Sequence, residues 1–174
     1  MTKILFENDW LALHEKDGYT FLHENRCDNL VAICVFTKKD NKILKIYGRF
    51  ENNPAHVKSS DDFELCSITG GIDHDKTAET MALEELMEEA GIMAQEEDLI
   101  DLGQVKPYKA ADTIVYLFAL DMTGKESEIH KDLATGDGSN GEEKCYCEWV
   151  DYEDVVECED SLIHSMLLRL NSWR

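Results

Sequence analysis

Gly70-Gly71-Ile72-Asp73-His74-Asp75-Lys76-Thr77-Ala78-Glu79-Thr80-Met81-Ala82-Leu83-Glu84-Glu85-Leu86-Met87-Glu88-Glu89-Ala90-Gly91-Ile92 is the stretch on which the fold of this chain turns. It sets a wall of carboxylates between two glycine turns. A helix advances about 100° per residue, so Glu88 and Glu89 lie about 60° to one side and about 40° to the other of Glu85, and the three share an arc of roughly 100°. Glu84 extends the wall. Like charges three and four apart cost about 0.2–0.5 kcal/mol per pair unless a cation is held against them. Hard divalent cations are held by a few carboxylates together with substrate phosphates and water. The punctuation agrees with a helix over Ala78–Ala90: Thr77 is a candidate N-cap, Glu79 stands in the first turn and Gly91 occupies the C′ position. Ala82, Leu86 and Ala90 then face the core. A chain with 37 acidic residues forms acidic helix faces as plain solvated surface; the glycine frame is what sets this one apart.

With 174 residues and 43% apolar content the chain reads as one domain, 1–174, able to bury a real core. A net charge of −20 disfavours binding long nucleic acids through the phosphate backbone, which lysine and arginine drive. A small phosphorylated ligand is compatible, because bridging cations invert the field around an acidic site. Six cysteines without a secretory leader read as reduced thiols of a cytoplasmic protein. Cys145-Tyr146-Cys147 lacks a second Cys/His pair and reads as ordinary thiols rather than half a metal site. The six histidines show no ligand spacing, and each reads as structural or exposed; Trp10, Trp149 and Trp173 read as packing residues. No apolar run reaches the roughly 20 residues needed to span a membrane.

Around the acidic helix the pattern is α/β. Residues 1–28 form an N-terminal extension in which Ile4–His14 and Tyr19–His23 are paired short strands. Asn29–Thr37 and Lys42–Tyr47 form a hairpin turned at Lys39-Asp40-Asn41. Residues 49–62 read as a loop, Phe63–Ile68 as a strand entering the glycine turn, Leu99–Val105 and Thr113–Leu120 as strands with the second central. A long loop over residues 124–141 precedes the strand Cys145–Val150, and an apolar stripe of Leu162, Met166, Leu167 and Leu170 marks a C-terminal helix over Ser161–Trp173.

Gly70 to Ile92 resembles the Nudix box, G-x5-E-x7-R-E-U-x-E-E-x-G-U with U apolar. Glu85, Leu86, Glu88, Glu89, Gly91 and Ile92 stand at the family's Glu, apolar, Glu, Glu, Gly and apolar positions, and Gly70 at its leading glycine. Two positions depart: Lys76 stands for the first Glu and Glu84 for the Arg. Two readings are open. Either the brace that those residues form in the family is kept with its charges exchanged, or the Gly71–Thr77 loop has lost one residue and Glu84 is left exposed.

The resemblance implies an α/β/α sandwich around a mixed sheet, here preceded by short N-terminal strands. The flanks are most similar to the ADP-ribose pyrophosphatase branch, on Ile46-Tyr47-Gly48-Arg49-Phe50, on Phe63-Glu64-Leu65, and on Asp137-Gly138-Ser139-Asn140-Gly141-Glu142-Glu143 before Trp149-Val150. That likeness implies hydrolysis of a nucleoside diphosphate linked to a sugar, with Mg²⁺ or Mn²⁺ held by Glu85, Glu88, Glu89 and the carbonyl of Gly70. By the same likeness Glu88 carries catalysis as well, Glu142 or Glu143 orients or deprotonates the attacking water, and Arg49 and Gly71 meet the substrate. The partner implied is a small nucleotide; a homodimer through the N-terminal strands is common in that branch, although no pattern in this chain itself shows one. Nucleoside triphosphates, dinucleotides or caps as substrates, and a Nudix-fold sensor that binds without cleaving, are the rival readings.

Overall fold

Val31–Phe36 and Val115–Leu120 are apolar without alternation, as expected of strands covered on both faces. The computed structural model describes residues 1–27, 29–53, 55–59, 61–134 and 144–172 and sets these two strands side by side, parallel. In chain order the strands are β1 (Lys3–Glu7), β2 (Leu11–Lys16), β3 (Tyr19–Glu24), β4 (Leu30–Lys39), β5 (Lys42–Glu51), β6 (Glu64–Cys66), β7 (Ile68–Gly71), β8 (Leu99–Val105), β9 (Val115–Asp121) and β10 (Tyr146–Asp151). The helices are α1 (Ala78–Ala90), α2 (Tyr152–Val155) and α3 (Ser161–Ser172).

The main sheet runs β10-β5-β4-β9-β8, and every pairing but β4/β9 is antiparallel, so the sheet is mixed. Alternation along the strands feeds two cores. Val31, Ile33 and Val35 of β4, with Phe118 and Leu120 of β9, pack with Met81, Ala82, Leu86 and Ala90 of α1. Ala32, Cys34 and Phe36, with Val115, Leu117 and Ala119, pack with Ile163, Met166 and Leu167 of α3. This is the expected α/β/α sandwich. Asp160 starts α3, accepting from the amides of Leu162 (2.6 Å) and Ile163 (3.0 Å), while its other oxygen accepts from the amide and hydroxyl of Ser67.

Several boundaries differ from the sequence reading, each for a local reason. Ile4–His14 is two strands, because the Asn8 side chain accepts from the amides of Trp10 and Leu11 (2.8 Å each) and turns the chain. The three N-terminal strands form a separate antiparallel sheet. Trp10 is exposed on it, under the Arg26 guanidinium, rather than packed in a core. β5 runs on to Glu51, past Arg49, through what reads as loop. Phe63–Ile68 splits into β6 and β7, which pair with different strands: β4 and β5 splay beyond the Val35/Tyr47 pair, β6 follows β5, and β7 follows β4 from Ile33 to Leu30. β9 lies inside the sheet, but the middle strand is β4.

Candidate functional site

The splay of β4 and β5 delivers β7 to one end of the sheet, with Gly70 opposite Val31 and Gly71 opposite Leu30. From there the chain turns into α1, and both caps are built as read: the Thr77 hydroxyl accepts from the Thr80 amide at 3.2 Å, and Gly91 sits at φ 66° with its amide bonded back into the last turn. Ala82, Leu86 and Ala90 are fully buried. Their burial fixes the rotation of the helix, so Glu84, Glu85, Glu88 and Glu89 all turn toward a cleft of about 420 Å³.

Gly70 is a glycine because of Glu85. A Cβ at Gly70 would stand 1.8 Å from Glu85 Oε1, so the carboxylate lies directly on the backbone of the glycine turn. The structure thus brings Gly70, Gly71, Glu85, Glu88 and Glu89 into one cleft. Six carboxylates (Glu24, Asp73, Glu84, Glu85, Glu88, Glu89) and two cations (Arg26, Lys76) line it, a formal charge of −4. Oxygen is the hard, Mg²⁺-type donor, and the grouping of α1 carboxylates with open space before them fits such an ion.

Lys76 and Glu84 do pair. Lys76 Nζ donates to Glu84 Oε2 at 2.6 Å and meets Asp73 Oδ2 at 3.0 Å. The bond to Glu84 first, and that to Asp73 next, hold the ammonium above the ordinary lysine range. The ion pair that an exchanged brace requires is present, and Glu84 is not left without a cation.

Arg49 is placed otherwise than the sequence suggests. It follows Tyr47 on the α1 face of β5, its side chain is 5% exposed, and it lies outside the cleft lining. Its Nη1 meets Glu89 Oε1 at 2.5 Å and its Nε meets Glu51 Oε1 at 2.6 Å. It meets a wall carboxylate, Glu89, from the core side. Cys147, opposite Arg49 on β10, donates its thiol to the Glu89 carbonyl (3.4 Å); burial pushes that thiol up to about 12, against the pull of Arg49, so it stays neutral. Glu142 and Glu143 lie outside the described residues.

The sequence reading missed Arg26 and Cys27. They come from the turn between β3 and β4, and because Leu30 is paired with Gly71, the residues just before β4 line the cleft with Glu24. The signal is the β4/β7 register, which a single sequence does not reveal.

Among solved structures the chain is similar to one described as an ADP compounds hydrolase, with a TM-score of 0.64 over 99% of this chain and 91% of that one, at 16% identity. The protein has the Nudix fold. At this identity the likeness is one of fold, including the N-terminal antiparallel strands. No protein-family model matches the sequence, and no curated protein matches it.

Proposed function

We propose that the protein hydrolyses a pyrophosphate bond in a nucleoside diphosphate linked to another moiety, ADP-ribose or a related nucleotide sugar being the leading substrate, in the presence of Mg²⁺ or Mn²⁺. The observation that carries this is the α1 carboxylate wall facing the Gly70-Gly71 turn across an open cleft of formal charge −4. A pyrophosphate would be repelled from such a wall; divalent cations reverse the field. Bound there, they would neutralise charge developing on the phosphates and lower the pKa of a coordinated water.

The residues divide the work. Glu85, Glu88 and Glu89, with the Gly70 carbonyl, hold the cations, and Arg49 orients Glu89 from the core. Gly71 lets the ligand approach the backbone, and Arg26 is the lining cation that can meet its phosphate or sugar. Glu142 or Glu143 orients or deprotonates the attacking water. The products are a nucleoside monophosphate and a phosphorylated remainder such as ribose 5-phosphate. A homodimer through the N-terminal sheet belongs to the same reading, supported by exposed Ile4, Phe6 and Trp10. Among the described residues no helix is long and apolar enough to cross a membrane.

Turnover of ADP-ribose, other nucleotide sugars, dinucleotides and triphosphates, with and without Mg²⁺ or Mn²⁺, tests this. Metal-dependent AMP release from ADP-ribose that disappears in Glu88→Gln and Glu89→Gln is the expected result. Nucleotide binding by calorimetry without turnover of any compound would overturn it in favour of a sensor, whose only support, the irregular residues at 76 and 84, is weakened by the ion pair they make.

A further inference from the structure

Antiparallel pairing puts His14 opposite Phe21 and Ala12 opposite His23, so both histidines project from one face of the N-terminal sheet. That face carries fully buried Ala12, and the chain segment before β9 lies against the same sheet. The Leu22 amide donates to the Ala110 carbonyl at 2.8 Å, the Asp112 amide donates to the Leu22 carbonyl at 3.1 Å, and the Tyr19 hydroxyl donates to the Lys109 carbonyl at 3.0 Å. Asp112 is thereby held beside the two histidines. Its Oδ2 lies 3.0 Å from His23 Nδ1, the two imidazoles stack with centroids 5.1 Å apart, and the Phe21 ring stands edge-on to His14. One ligand atom from each of His14, His23 and Asp112 falls within 4.8 Å of the others.

We propose that His14, His23 and Asp112 form a second metal site, for a borderline transition-metal ion of the zinc type, that clasps the N-terminal sheet to the main sheet. A tetrahedral ion with bonds of about 2.0–2.1 Å needs donors about 3.3 Å apart, so the three ligand atoms, now within 4.8 Å of one another, must draw together and the stacked imidazoles must turn out of parallel for both in-plane lone pairs to meet one ion, on backbones that are already fixed. His23 and Asp112 are 32% and 43% exposed, which leaves a fourth position for water. Two imidazoles and a carboxylate favour Zn²⁺, Co²⁺ or Ni²⁺ over Mg²⁺, whereas the all-oxygen cleft has the opposite preference. The two sites therefore sort different ions. They are also connected, since His23 is followed by Glu24, Arg26 and Cys27 of the cleft lining. An ion bridging His23 to Asp112 fixes the strand that feeds that wall.

Zn²⁺ titrated by calorimetry into chelator-treated full-length protein, with Mg²⁺ present throughout to occupy the acidic cleft, tests the site. The expected result is one equivalent bound, a rise in melting temperature, and at least a tenfold loss of affinity in His14→Ala and in His23→Ala, with Asp112→Asn losing less. Circular dichroism of the variants separates lost ligation from lost folding. Co²⁺ in the native protein supplies a readout independent of substitution: its spectrum should show histidine and carboxylate ligation without thiolate charge transfer. Absence of a Zn²⁺ equivalent, unchanged affinity in both folded histidine variants, or a thiolate-type Co²⁺ spectrum would each overturn the proposal.

Discussion

Replacing Arg49 by Met removes the cation that holds Glu89 from the core side. The pair is nearly dry, with side chains 5% and 9% exposed and an Nη1–Oε1 separation of 2.5 Å, and Glu51 shares the same guanidinium at 2.6 Å. Met fills most of the volume, so the cost comes from the carboxylates left behind rather than from a cavity. Removing one member of a buried pair costs about 3–5 kcal/mol, because the remaining charge keeps its desolvation penalty. For a chain of this size each kcal/mol moves the melting temperature by about 2–4 °C, so a drop of roughly 6–20 °C is expected by differential scanning calorimetry. Arg49→Met/Glu89→Gln should melt above Arg49→Met, since the second change removes the uncompensated charge. Lys at 49 keeps the charge but cannot fork to both carboxylates, and should fall between Arg and Met. Millimolar Mg²⁺ should raise the melting temperature of Arg49→Met by more than that of the native protein, an added cation being worth more to a Glu89 that has lost its arginine. A drop below about 2 °C, or additive losses in the double variant, would refute the assignment of Arg49 as the internal partner of Glu89.

Three further outcomes rest on the same geometry. Glu84→Arg should lower the melting temperature by setting two cations against each other, and Lys76→Glu/Glu84→Arg should restore it; additive losses would sink the exchanged brace. Gly70→Ala should lower the melting temperature and weaken Mg²⁺ binding at least tenfold, because a Cβ there would meet Glu85 from its carboxylate back to Cγ and displace the whole side chain; equal affinity by calorimetry would contradict it. Burial raises the Asp121 carboxyl, but hydrogen bonds from Lys38 and Thr123 outweigh it and hold the group below the ordinary carboxylate range. The sign is that of a depressed acid: its stabilisation is present above about pH 4 and lost as pH falls through the folded value. Asp121→Asn should therefore melt below the native protein at pH 6, with the gap closing as pH falls below the ordinary carboxylate range, and a constant gap would be the contrary result.

What the sequence made legible was what local chemistry decides. Thr77 and Gly91 bound α1 because capping needs only the residues at hand, and the 3.6-residue spacing of Ala82, Leu86 and Ala90 places the carboxylates without knowledge of the sheet. Arg49 could not be placed that way. Whether it reaches solvent or core depends on β5 continuing to Glu51 and on β6 and β10 flanking it there, all non-local pairings. Arg26 and the His14–His23–Asp112 cluster were hidden for the same reason. Each depends on strand register, and His23 and Asp112 are 89 residues apart in the chain. Histidines without sequence spacing read as unconnected until the two sheets meet.

The exchanged brace is not neutral with respect to the site. An ion pair has the same Coulomb energy whichever residue carries which sign, but its surroundings are not symmetric. Lys76 precedes the N-cap, where the helix dipole disfavours a cation, and Asp73 on its other side offsets this as a second acceptor. Glu84 in turn lies on the helix, so the exchange adds a fourth carboxylate to the α1 wall and moves the cation to the loop. The family order of signs would leave the cleft at the same formal charge of −4 with a different distribution, whereas Glu84→Arg alone changes it to −2. The double variant therefore separates the position of charge from its amount. If Mg²⁺ affinity follows the total, native and double-variant proteins should bind alike and the single variant more weakly. If the affinity depends on four carboxylates standing on one helix face, both variants should bind more weakly, and the sign exchange is a feature of the metal site rather than a relic of the loop.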